Sequence, residues 1–161
     1  MRHRLPRGFL GLVVGSIVFA LGAGAQAQAP KGLIGTWKLN VAKSKFSPGP
    51  PPKSSTLVYS PAGEGVKIVV DTAPADGPAQ HWEMTAHYDG KDNPVTGNPT
   101  ADKISMKLID ERTGESTMKK DGKITAVNHR VLSADGKTLT ITSKGTTADG
   151  KPRHDVQVYE K

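Results

Sequence analysis

The chain contains no cysteine. That excludes disulfide staples, thiolate catalysis, Cys-based zinc sites and the lipid-modified cysteine that tethers a bacterial lipoprotein. Aromatic residues are scarce, with two Trp, three Tyr and three Phe among 161 residues, so any core they build is small. No basic run is interleaved with aromatics, and nucleic-acid binding is therefore not expected. No glycine-rich loop opens a helix, and no serine sits in a nucleophile elbow. From Lys31 onward no helical period is visible. Lys, Thr, Gly, Pro and Asp predominate there, and much of the chain's 35% apolar content falls in the first 25 residues.

That first segment has the order of a secretory leader. Arg2, His3, Arg4 and Arg7 make a positive start, and Phe9 to Ala23 is uncharged and mostly apolar. Ala23-Gly24-Ala25-Gln26-Ala27-Gln28-Ala29 then offers overlapping Ala-x-Ala sites. The expectation is a signal peptide over 1–29, cleaved near Ala27 or Ala29, and a single mature domain over 30–161. Five glycines weaken the same stretch as a membrane-spanning helix, so no stable membrane anchor is expected. Localisation would be periplasmic or secreted. Three of the 22 basic residues belong to the leader, which leaves 19 against 15 acids and a mildly basic mature chain near +4.

The remainder alternates with period two between turns. Leu33 to Asn40 reads as the first strand. Leu57 and Tyr59, then Val66, Ile68 and Val70, mark the next two. Trp82, Met84, Ala86 and Tyr88 alternate with polar residues, as do Ile104, Met106 and Leu108. Thr113 to Lys120 is polar on both faces and reads as a short or edge strand. Ile124 to Leu132, Leu139 with Ile141, and His154 to Lys161 follow. Ala62-Gly63-Glu64-Gly65, Asp121-Gly122 and the two Ala-Asp-Gly-Lys segments read as hairpin turns. Two connectors are longer: the proline-rich Ser47 to Ser54, and Asp89 to Asp102, taken as a loop at the rim. About nine strands joined in this way predict an all-β, antiparallel up-and-down meander of 8–10 strands. A meander of this length either closes into a barrel or folds into a sandwich, because open edges invite aggregation.

Leu33-Ile34-Gly35-Thr36-Trp37-Lys38-Leu39, followed by Lys45-Phe46, resembles the opening strand of the calycins, the lipocalins and intracellular fatty-acid-binding proteins. Val156-Gln157-Val158-Tyr159-Glu160-Lys161 resembles the last strand of the latter. The whole chain is similar to exported bacterial proteins described as lipocalin-like. The resemblance implies a calycin-like barrel with Gly35 and Trp37 as its structural plug. It also implies a small apolar or amphipathic ligand inside and a monomeric, non-enzymatic binding protein. Two departures stand out. The proline-rich segment replaces the helical lid, and Gln157 stands where the fatty-acid-binding proteins carry the arginine that pairs with the tyrosine, here Tyr159.

The candidate ligand-binding residues are Trp82, Met84, Tyr88, Arg130, Gln157 and Tyr159. Arg130 shares a strand face with Ile124 and Leu132, so it either packs over Trp37 or meets an anionic group, with Arg153 as a second cation. No metal or other cofactor is called for. His81 and His87 share a strand but stand about 20 Å apart at roughly 3.3 Å per residue. Enzymatic chemistry would need a histidine beside a carboxylate, and His129 with Glu83 or Asp155 is the pairing to check. The alternative function is a structural or interaction domain of the cell envelope with no ligand cavity.

Overall fold

The computed structural model describes residues 29–147 and 149–161; the expected signal peptide lies outside them but for Ala29. Ten strands run β1 Gly35–Leu39, β2 Ser54–Ala62, β3 Gly65–Ala73, β4 Gln80–Ala86, β5 Asp89–Thr96, β6 Lys103–Leu108, β7 Thr113–Lys120, β8 Lys123–Leu132, β9 Thr138–Thr146 and β10 Pro152–Glu160. Each pairs antiparallel with its neighbours in sequence. β1 also pairs with β10, and the sheet closes into a barrel. No α-helix occurs among the described residues. A closed ten-strand meander is compatible with the calycin-like architecture.

The turns follow their chemistry. Asp121 and Gly122 both take positive φ, 49° and 76°, as a two-residue hairpin turn requires. Asp110 Oδ1 accepts from the backbone N–H groups of Arg112 and Thr113. Those bonds, the Arg112 N–H first, hold its carboxyl below the usual range.

Three expectations need correction. Asp89 to Asp102 is not a loop, because its first eight residues form β5. Gly90, Asn93-Pro94 and a mostly exposed burial pattern hid that strand. β5 pairs with β4 at only two positions, and its ladder with β6 is irregular between Asp89 and Asp92, so a poor strand sequence matches a poorly paired strand. Thr113 to Lys120 is not an edge. β7 is bonded to β6 along one side and to β8 along the other, with Gly114 and Met118 turned inward. The first strand is also shorter than expected, because Lys31–Leu33 is a 3₁₀ turn beneath the barrel.

Between β1 and β2 there is a 3₁₀ turn at Val41–Lys43, begun by Asn40, whose side chain accepts from the Lys43 N–H. The chain then runs beside β10. Lys45 and Val156 exchange both backbone bonds, and His154 N–H donates to Ser47 O. No helical lid stands here; the segment extends the seam where the barrel closes.

The lower end of the barrel is solid. Leu33, Trp37, Val66, Ala86 and Leu139 are each 0% exposed. Trp37 donates from Nε1 to Leu33 O at 2.8 Å, which satisfies its only polar atom in the core. Lys161 Nζ lies 4.5 Å from the Trp37 ring centroid and donates to Gly32 O and Ile34 O. Gly35 has φ +135°, and a Cβ there would press on the Lys161 side chain at 3.2 Å. Gly35 is thus a backbone requirement, since its φ lies where a side chain is strained, while the Lys161 side chain can yield.

Candidate functional site

Above that plug the barrel encloses a cavity of about 400 Å³, within the range of small-molecule sites. Trp82, Met84, Tyr88, Arg130, Gln157 and Tyr159 all line it, and Gly35 and Trp37 lie below it. The Trp82 face of β4 therefore points inward. His81 lies on the outer face, bonded to Asp71 on β3 at 2.6 Å. Tyr88 is not on that strand, which ends at Ala86, but in the turn before β5, from which its buried ring reaches back into the interior.

Arg130 forms the cavity floor. It is 6% exposed, with its guanidinium carbon 6.0 Å from the Tyr59 ring centroid and 5.6 Å from that of Tyr88. Its Nη1 donates to Tyr88 Oη at 3.2 Å. Its Nε and Nη2 are buried without an acceptor. Among the described residues no carboxylate pairs with it. Burial disfavours the charged guanidinium, but the phenol oxygens of Tyr59 and Tyr88 outweigh that, and its affinity for the proton is raised. Burial in turn pushes the Tyr59 phenol up to about 12.

Two expectations about Arg130 change here. It does not cover Trp37, a role taken by Lys161. Nor does it share a face with Ile124. Met118 opposes Ala126, while Lys119 opposes Ile124, which leaves Thr125 as an extra residue in β8. That bulge turns Ile124 outward, 61% exposed, while Ala126, Arg130 and Leu132 stay buried.

Gly114 makes room for the guanidinium. It opposes Arg130 across the β7–β8 ladder, and a Cβ there would stand 2.5 Å from Arg130 Nη2 and 3.1 Å from Lys107 O. Nothing short of pairing β7 with β8 reveals this role, because a lone glycine in a polar strand reads only as weakness.

One register step above the floor, four inward positions on four adjacent strands are polar: Ser116 on β7, Asn128 on β8, Ser143 on β9 and Asp155 on β10. They are directly opposed in turn. Ser143 Oγ donates to Asn128 Oδ1 at 2.6 Å, and Asn128 Nδ2 donates to Ser116 Oγ at 3.0 Å. Arg153 Nη2 donates to Ser143 Oγ at 3.4 Å, and Arg153 Nε stands 3.3 Å from Asp155 Oδ2. Asp155 Oδ1 also accepts from the Ser47 backbone N–H. Single-strand reading missed this row. The available clue was a polar residue in an inward slot on each of four consecutive strands.

Beside the row, the Tyr159 hydroxyl is shared between Gln157 Oε1 at 3.0 Å and Ser55 Oγ at 3.3 Å. Burial raises the Tyr159 phenol, with Ser55 opposing it in part. The amide at position 157 thus has a neutral partner, whereas a guanidinium would bring a second buried charge.

The histidine–carboxylate pairing does not form. His129 is on the exposed face of β8, and Glu83 is held by Lys67 at 2.8 Å outside the barrel, while Asp155 points inward. Among the described residues no three metal-ligating side chains converge. No protein-family model matches the chain, and no curated protein matches it.

Proposed function

We propose that this is an exported, soluble, lipocalin-like protein that binds one small amphipathic molecule in the barrel and does no chemistry on it. The observation that carries the reading is Arg130. A buried cation with two unpartnered donor nitrogens is costly, and it stands at the floor of a cavity large enough for a ligand. An anionic or strongly accepting group on a ligand would supply the missing partner. Burial of the ligand's apolar body against Leu57, Ile68, Val70 and Met84 would supply most of the affinity. Gln157 and Tyr159 would orient the polar end. The alternative of a domain without a cavity is not favoured by a barrel with an interior of this size.

The same reading has the leader removed near Ala27 or Ala29 and the mature chain acting as a monomer in the periplasm or outside the cell. Native mass spectrometry of the purified mature chain, with a fluorescence panel of fatty acids and retinoids, tests the binding. A retained ligand, or a Kd tighter than micromolar that weakens at least tenfold in Arg130→Met for the acids but not for a neutral retinoid, is expected. No retained ligand and nothing bound above micromolar strength would overturn it.

A further inference from the structure

We infer that the ligand is a flat, oxygenated aromatic compound of the polyphenol class, held with one edge against the polar row. This rests on the reading that the cavity binds a small molecule, and it adds which chemistry fits there.

The row has a direction. Donation runs from Arg153 to Ser143, from Ser143 to Asn128 and from Asn128 to Ser116. Each hydroxyl or amide oxygen is used as an acceptor by the group behind it. The line therefore ends on the Ser116 O–H, with the second N–H of Asn128 beside it, and both residues line the cavity. Hydrogen bonds linked in this way polarise one another, so the free end is a strengthened donor. What it needs is a ligand oxygen.

The opposite wall is apolar in its deeper part. In the order of strands round the barrel, β2, β3 and β4 stand across from β7, β8 and β9. They present Leu57, Val70 and Met84 to the cavity and, one register step further from the plug, Ser55, Thr72 and Gln80, of which Ser55 and Thr72 bond each other. Met106 and Met118 border the polar row from β6 and β7, so three of the chain's four methionines line this one space. Thioethers are polarisable, adapt their shape and make favourable contacts with aromatic rings.

The two walls together favour a composite ligand over simpler ones. An alkyl chain would cover the methionines but leave the Ser116 end of the row facing hydrocarbon, at the cost of an unmet donor. A sugar would satisfy the row but leave Leu57, Val70 and the methionines without an apolar partner. A planar ring system with oxygens along one edge meets both, and an acidic phenol at its end would meet Arg130.

Isothermal calorimetry with quercetin and with laurate tests this. The wild-type chain is compared with Asn128→Leu, which keeps side-chain volume but removes the amide, and with Ser143→Ala, which breaks the line one step earlier. Quercetin is expected to bind at least tenfold more tightly than laurate. It should lose at least tenfold in Asn128→Leu and about threefold in Ser143→Ala, while laurate changes less than twofold. If Asn128→Leu fails to fold, the Ser143→Ala ratio decides. Laurate binding as tightly as quercetin, or both responding alike to the variants, would overturn the inference and leave the cavity reading standing. If neither probe binds, nor any ligand of the earlier panel, both fall.

Discussion

The two ends of this barrel are built from the same strands and differ in what those strands turn inward. From floor to mouth, β8 presents Leu132, Arg130 and Asn128, β9 presents Leu139, Ile141 and Ser143, and β10 presents Tyr159, Gln157 and Asp155. Along each strand the inward series passes from large and apolar to polar. The lower end has its one indole nitrogen satisfied and several side chains at 0% exposure. The upper part keeps about 400 Å³ open and tolerates a guanidinium with two of its nitrogens unpartnered. Tight packing is therefore concentrated at one end and open, polar space at the other, and changes at the two ends should separate in what they damage.

The largest test compares the two tryptophans. Trp37→Ala removes a fully buried indole from the plug and should cost about 3–5 kcal/mol of unfolding free energy. Trp82→Ala, on a half-buried ring at the cavity wall, should cost less than about 1.5 kcal/mol but alter ligand affinity. Urea denaturation of both variants reads this directly. Equal losses would break the division between a supporting end and a binding end.

A second test probes the floor where the two regions meet. Tyr59 titrates near 12 when folded, because burial disfavours its phenolate, against an ordinary value near 10. The folded state thus resists releasing this proton and the unfolded state does not. The sign follows. The stability tied to Tyr59 is fully present below pH 10 and is lost as pH rises from 10 towards 12, by roughly 2–3 kcal/mol. Denaturation midpoints between pH 9 and 12 should fall, and Tyr59→Phe should flatten the fall. A wild-type profile no steeper than that of the variant would show that solvent reaches the floor, which would blur the boundary between the dry end and the cavity.

The sequence made the architecture readable for a physical reason. Period-two alternation fixes which face of each strand is buried, and tight turns fix antiparallel neighbours. Trp82, Met84 and Arg130 reach the cavity because each sits in phase with its strand. What stayed hidden depends on contacts between strands. β5 has no apolar alternation, so only its neighbours reveal it. The bulge at Thr125 breaks the phase between Ile124 and Ala126, and no single-strand pattern announces it. The polar row exists only once four strands are in register, and the role of Gly114 only once Arg130 lies across from it. The cover of Trp37 is hidden for a similar reason: Arg130, on an apolar stripe, is the more conspicuous cation, while only the fold brings Lys161 over the ring.

The smallest effect concerns that cover. Lys161 lies over Trp37 and donates to two carbonyls of the segment leading into β1, but it is exposed and does not line the cavity. Lys161→Met keeps an apolar stem over the ring and removes the ammonium, so the loss should be only about 0.5–1 kcal/mol. Part of it should disappear at high salt, since an exposed charge is screened. Ligand affinity should stay within twofold of the wild type, because the plug separates this residue from the cavity by a packed layer. A larger change in affinity would mean that loosening the cover of Trp37 moves the floor beneath Arg130, and the two ends would then have to be treated as one mechanical unit.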